Sequence, residues 1–205
     1  MSIYETTHVK DIYEIIAKDF DASRAYKWPY ITQFISSLPK HQHILDIGCG
    51  NGRNMDYENH TFMGLDNCEN FVKCCLKRGK EVVLGDMTSL PFQDKTFDAL
   101  LSIASFHHLK TIKRRKQALL EMKRVLRPNG KILMSLWSKT QPKKTRRVFE
   151  NYGDTLVPWI QNNTSYNRYY YIFKNEEITK LIEECGLKVA SHHWDCGNEY
   201  YIIQK

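Results

Sequence analysis

The chain has 205 residues, a net charge of +7 and a pI near 9.0. Hydrophobic residues make up 42% and charged residues 26%, as in an ordinary globular protein, which excludes a disordered tail or a fibre. No apolar run approaches the ~18 residues of a spanning helix, and the N-terminus mixes Glu5, Asp11 and Glu14 with apolar residues, unlike a signal or transit peptide. At this length a single domain is expected.

The elements follow in chain order. Val9, Ile12, Tyr13, Ile15 and Ile16 recur at helical spacing, so residues 7–17 read as an amphipathic helix. Trp28-Pro29 starts a second helix that stops near Pro39. A strand at 43–47 runs into Gly48-Cys49-Gly50-Asn51-Gly52, and a second at 61–65 ends at Asp66. A helix at 68–77 closes at Gly79. Strands follow at 82–84, ending in Gly85-Asp86, and at 97–104. A helix at 112–126, the turn Arg127-Pro128-Asn129-Gly130 and a strand at 132–137 come next. Residues 138–171 show no clear period and read as an insertion over one end of the sheet. A helix at 175–185 and two strands, 187–190 and 199–203, close the chain. Continuous apolar strands alternating with helices predict an α/β fold, a mostly parallel sheet covered on both faces.

The charge is concentrated. Residues 110–147 hold 14 of the 30 Lys and Arg but only one of the 23 Asp and Glu, which puts that segment at +13 and the rest at −6. Such asymmetry points to a polyanion, nucleic acid first. The six cysteines include no CxxC pair, so reduced thiols and no metal site in this chain are expected, in the cytosol or nucleus.

The strongest chemical signal is the loop Gly48 to Gly52. Glycines at the carboxyl end of the first strand let backbone approach a ligand in the crevice of a doubly wound sheet. Two acids follow at the next carboxyl ends. Asp66 can accept a ribose diol, and Asp86 can meet an adenine amine with Met87 on the ring. Only one nucleoside is provided for and the third glycine of G-x-G-x-x-G is missing, which favours S-adenosylmethionine over NAD. Candidate cofactor residues are Asp46, Gly48, Cys49, Gly50, Asn51, Gly52, Asp66, Asn67, Asp86, Met87, Ser102 and Ile103.

These motifs resemble the class I S-adenosylmethionine-dependent methyltransferases (a Rossmann-like, seven-stranded fold). Leu90-Pro91-Phe92, His107-His108-Leu109, Arg114-Arg115, Arg124 to Pro128, Trp137 and Arg168-Tyr169-Tyr170 resemble one family within them. It comprises the eukaryotic tRNA methyltransferases that esterify 5-carboxymethyluridine at the wobble position, including a domain fused to an AlkB homologue. Ser23-Arg24-Ala25-Tyr26 and Pro128-Asn129-Gly130 depart from the family's Thr-Arg-Tyr and Pro-Gly-Gly. The resemblance implies methyl transfer from S-adenosylmethionine, leaving S-adenosylhomocysteine, to a tRNA anticodon stem–loop. It also implies a heterodimer with a small zinc-binding activator, and no membrane partner. The apolar edge Val82, Val83 and Leu84 is the expected docking strand.

A carboxylate acceptor is already ionised at neutral pH, so the site must orient it and exclude water rather than supply a base. His107, Arg24 and Arg168 are the candidates for holding it, with His108, Tyr169, Tyr170 and Asn198 beside it. Adjacent histidines point opposite ways, and His107 is favoured as the one facing substrate. Arg24 could instead bind the cofactor's carboxylate, and the tyrosines could be core. Lys113, Arg114, Arg115, Lys143, Lys144, Arg146 and Arg147 are expected to form a tRNA-phosphate track. A small-molecule methyltransferase and a non-catalytic RNA-binding module are the alternatives. The +13 segment argues against the first and the intact glycine loop with its two acids against the second.

Overall fold

The structure, a computed structural model, describes residues 2–23, 26–143, 145 and 147–205. Its centre is a seven-stranded sheet in the order β3-β2-β1-β4-β5-β9-β8. The strands are β1 (His43–Ile47), β2 (Thr61–Asp66), β3 (Val82–Leu84), β4 (Phe97–Ile103), β5 (Leu126–Trp137), β8 (Lys188–Asp195) and β9 (Asn198–Gln204). β3, β2, β1, β4 and β5 pair in parallel, and β9 runs antiparallel to both β5 and β8. The order reverses between β1 and β4, which opens the crevice that doubly wound sheets use for ligands.

Both faces of the central strands are apolar because both are covered. Ile44, Leu45 and Ile47 of β1 and Leu100 and Leu101 of β4 have almost no exposed surface. One face packs on α5 (Ile112–Val125) and α6 (Asn175–Glu184) through Leu119, Met122, Ile178 and Ile182. The other packs on α3 (Pro29–Ser37) through Ile31, Phe34 and Ile35, with Cys75 of α4 (Glu69–Lys77) joining it. Each large aliphatic side chain so buried contributes about 1.5–3 kcal/mol.

Three elements differ from expectation. The N-terminal helix is longer, running as α1 (Ile3–Glu5), a π-helical turn (Thr6–Lys10) and α2 (Asp11–Ala22), with Ile15 exposed rather than packed. β5 starts at Leu126, so the predicted turn at 127–130 lies within it as an irregularity, with Asn129 at φ 64°. The segment expected to be aperiodic contains a hairpin, β6 (Gly153–Gln161) and β7 (Thr164–Ile172), joined by Asn162 and Asn163 at positive φ. Asn adopts that backbone more readily than most residues, and two in succession form the tight turn whose twist suits a hairpin. Pro158 is tolerated because β6 pairs on one side only.

Candidate active site

A cavity of about 320 Å³ opens at the carboxyl ends of β1, β2 and β4, a size in the range of small-molecule sites. The glycine loop forms its floor. Gly48 has φ +73°, and a Cβ there would lie 2.4 Å from the Cβ of Ser105, so only glycine lets the loop pass. Ser105 Oγ donates to the Ile47 carbonyl at 2.8 Å, tying the ends of β1 and β4 together. A Cβ on Gly50 would meet no atom within 4 Å.

Asp66 holds the loop in place. Its two oxygens accept the Gly50 and Cys68 amides at 2.8 and 2.9 Å. Burial pushes its carboxyl up to about 6 despite those donors, which favour the charged form. Each oxygen keeps a lone pair for a ribose hydroxyl. Asn67, Gly85, Asp86 and Met87 continue the same wall. The residues thus fit an adenosine-bearing cofactor: an acid for the diol, an acid and a thioether for the base, and open backbone at Gly50 for the remainder.

Asp86 is already engaged. Arg114 Nη2 donates to its Oδ2 at 2.7 Å, and the Thr88 amide and hydroxyl donate to its Oδ1. Burial raises its carboxyl, but these donors outweigh burial and hold it below its ordinary value. Arg114 also pairs with Glu5, Nε to Oε2 at 2.6 Å. Glu5 is 2% exposed and its Oε1 accepts the Lys110 amide at 2.7 Å. The first helical turn of the chain is therefore clasped to the cavity wall.

A polar cluster occupies the far end of the cavity. His108 Nδ1 meets the Tyr169 carbonyl at 2.7 Å, so that nitrogen carries the proton and Nε2 accepts from Tyr13 Oη at 3.2 Å. Burial holds the imidazole neutral, pulled down to about 3. Tyr13 Oη also lies 3.2 Å from Tyr170 Oη and accepts from Arg168 Nη1 at 3.4 Å. Arg168 is 4% exposed, its Nε has no partner, and it pairs with no carboxylate among the described residues. It rests instead against the rings of Tyr13, Trp159 and Tyr170. Tyr170 stacks on Trp137 with centroids 4.1 Å apart, and Arg147 lies over Trp137 at 4.4 Å.

Several expected residues sit elsewhere. His107, not His108, is the core histidine: it has no exposed surface, does not line the cavity, and accepts the Trp137 amide through Nδ1. The short 3-10 turn Phe106–His108 directs the two rings almost perpendicular to each other. Tyr169 likewise faces away, donating to Asp154 beside Tyr4. Asp46, Gly52 and Ser102 do not line the cavity. Asp46 is fully buried, neither oxygen meets a partner among the described residues, and burial pushes its carboxyl up to about 7. Ser102 bonds Ser105, and Gly52, at φ +72°, packs against Lys80 and Cys75.

Arg115 leaves the expected phosphate track altogether. It is buried, donates to the carbonyls of Leu109 and Lys110, and lies 3.6 Å over the Tyr171 ring. Arg114 leaves it for the clasp just described, and Arg147 for the cavity wall. Lys113 and Lys143 are exposed. Arg24, Lys144 and Arg146 lie outside the described residues. Cys49, Asn51, Ile103 and Asn198 line the cavity as expected. Sequence reasoning missed Tyr13 as a cavity residue. Its place on the same helical stripe as Ile12 and Ile16 was the available signal.

Residues 45–134 match the family model described as "Methyltransferase domain". The chain is 34% identical to the tRNA (carboxymethyluridine(34)-5-O)-methyltransferase of Schizosaccharomyces pombe, with 98% of each chain covered. Among solved structures it resembles a SAM-dependent methyltransferase of Methanosarcina mazei (TM-score 0.71, 18% identity, 87% of this chain and 98% of that one). It also resembles a structure describing a complex between the Haloferax volcanii Trm112 methyltransferase activator and a methyltransferase (TM-score 0.67, 16% identity, 94% and 96% covered).

Proposed function

The chain belongs to the tRNA (carboxymethyluridine(34)-5-O)-methyltransferase family, and from that premise we propose how its own residues direct methyl transfer to the carboxylate of 5-carboxymethyluridine at the wobble position. The observation that carries the reading is Arg168, a buried guanidinium with no carboxylate partner among the described residues, set behind Tyr13, Tyr170 and His108 of the cavity. A buried charge is costly unless paired. An acidic acceptor supplies the missing counter-charge, whereas an uncharged acceptor leaves it unmet.

S-adenosylmethionine, when bound along Gly48–Gly50, Asp66, Asp86 and Met87, supplies a methyl group on a sulfonium. The protein does the rest by placement. Tyr170 offers its phenol hydroxyl to the acceptor carboxylate, Tyr13, whose own proton goes to His108, holds that phenol in place, and Arg168 behind them strengthens the donor electrostatically. His108 takes no proton in the reaction. Its Nδ1–H is committed to the Tyr169 carbonyl and its Nε2 to Tyr13, so it orients the phenol. No base is needed for a carboxylate that is already ionised. The Trp137–Tyr170 stack excludes water at the acceptor end.

The β3 edge is our candidate surface for a small zinc-binding activator. Supporting this, β3 ends the sheet, Leu84 is half exposed, and the chain resembles a methyltransferase described in complex with the Trm112 activator. The chain expressed alone is then poorly soluble or inactive.

Mass spectrometry of wobble nucleosides from tRNA incubated with enzyme, activator and labelled S-adenosylmethionine tests the reaction. The labelled methyl ester is expected. Arg168→Gln should lower kcat/KM by about a hundredfold or more and leave S-adenosylhomocysteine affinity within a few-fold. Label on another nucleoside, or full activity of Arg168→Gln, rejects the assignment.

A further inference from the structure

Part of the cavity lining is aromatic and exposed, and the methyl chemistry does not explain it. Tyr26, Trp28, Arg53 and Asn198 line the cavity mouth. Tyr26 is 85% exposed. The Arg53 guanidinium lies 4.7 Å over the Trp28 ring. Two residues beyond Trp28, Tyr30 packs on Tyr200 of β9 with centroids 4.7 Å apart. His193, the β8 register partner of Tyr200, stacks on Tyr30 at 4.9 Å with planes 17° apart. His193 is itself exposed. Asn198 and Tyr200 alternate on one face of β9, so this stack begins about 7 Å from the cavity mouth.

A solvent-facing row of flat rings contiguous with a methyl-transfer cavity has a chemical meaning. A nucleoside can enter the cavity only if its base leaves the stack of its neighbours, and those neighbours then lose a stacking face. Exposed aromatic rings and an arginine plane are what single-stranded bases stack on, with little regard to sequence. Trp28 and Tyr30 rest in part on the core beneath them, but packing does not require the outer rings: Tyr26 is almost fully exposed and His193 is on an edge strand, where solvent-facing side chains are normally charged.

We propose that Tyr26, the Trp28–Arg53 pair and the Tyr30–His193 stack form a binding surface for the unpaired nucleobases flanking the acceptor uridine. This rests on the wobble-uridine reading for its ligand class, and it adds a surface lying outside the 110–147 basic segment. Tyr30 and His193 form a stack two rings deep, and a base laid on the exposed imidazole extends it. Tyr26 offers a ring at the mouth itself. Stacking releases few counterions, so its contribution should be separable from that of phosphate contacts by salt dependence.

The test is fluorescence anisotropy with a labelled anticodon stem–loop RNA, using the chain with its activator. Tyr26→Ala and His193→Ala should each weaken binding about 5- to 100-fold with the salt slope of the affinity unchanged. Tyr26→Phe and His193→Phe, which keep a flat ring, should bind within about twofold of wild type. Thermal melting confirms that the variants fold. Alanine variants that bind like wild type, or phenylalanine variants as weak as the alanine ones, overturn the proposal. Failure of the enzyme to methylate a stem–loop that it binds would instead reject the wobble-uridine reading and leave the stacking result standing.

Discussion

Single residues in this protein are read correctly only when burial is known. Asp46 and Asp66 both lie near the carboxyl ends of apolar runs in the sequence, and both look like ligand-facing acids. Asp66 faces the cavity and is held by two backbone amides. Asp46 is buried, with neither oxygen hydrogen-bonded among the described residues. Its consequence is thermodynamic. Burial raises the Asp46 carboxyl to about 7 in the fold, against an ordinary value near 4 in the unfolded chain. The folded state therefore keeps a proton that the unfolded state has lost between those two values. Stability from this group is fully present below about pH 4 and is lost as pH rises to about 7. His107 and His108 act in the opposite sense, since burial keeps both neutral below their ordinary value. The clean measurement is a difference. Asp46→Asn should become more stable relative to wild type, by roughly 2–4 kcal/mol, as pH rises from 4 to 7 in urea unfolding. A pH-independent difference would show that Asp46 is ionised within the fold.

Elements reach the site from separate parts of the chain, and two of them decide its shape. The N-terminal helical segment contributes Glu5 and Tyr13, and the β6–β7 hairpin contributes Arg168 and Tyr170. Neither belongs to the strand–helix repeat that carries the glycine loop. The clasp Glu5–Arg114–Asp86 joins the first of them to the cofactor wall. Removing one partner from a buried ion pair is more costly than never having built it, because the survivor stays buried. Here Asp86 still pairs with Arg114, which softens the loss. Glu5→Gln should therefore destabilise the chain by about 2–3 kcal/mol, read as a lower denaturation midpoint with unchanged slope. A midpoint within error of wild type would mean that the first turn does not hold the wall in solution.

On the scale of the whole molecule, the +13 segment is the feature whose meaning changed most. Much of its charge is used within the fold. Arg124 pairs with Glu121 and Asp94, Lys116 with Glu184, Arg127 with Asp98, Lys110 with Asp154, and Arg114 with two acids. Arg115 is buried. The exposed remainder includes Lys113 and Lys143. The salt dependence of tRNA binding should reflect this. Lys113→Gln with Lys143→Gln should reduce the slope of log affinity against log salt by about 1 to 2, at ~0.7–0.9 per contact. Arg115→Gln should leave the slope alone and lower stability instead. A slope loss for Arg115→Gln equal to that for Lys113→Gln would place Arg115 on the RNA after all.

The sequence by itself determined the sheet, the cofactor loop and the acids at the next two carboxyl ends. Those depend on local spacing: apolar runs of strand length, glycines where the backbone must turn, and acids at or just past the strand ends. It also carried the family, through Arg168-Tyr169-Tyr170 and His107-His108-Leu109. Tertiary structure alone decided which member of each adjacent pair faces the cavity. His108 and Tyr170 face the cavity while His107 and Tyr169 face the core, because the 3-10 turn at Phe106–His108 and the hairpin register set side-chain direction. It likewise decided which charges are spent inside the fold, since an arginine's partners lie tens of residues away and no local pattern reports them. Asn162-Asn163 shows the boundary between the two. The segment around it reads as aperiodic, and only the structure shows the hairpin that turns there and brings Arg168 behind Tyr13.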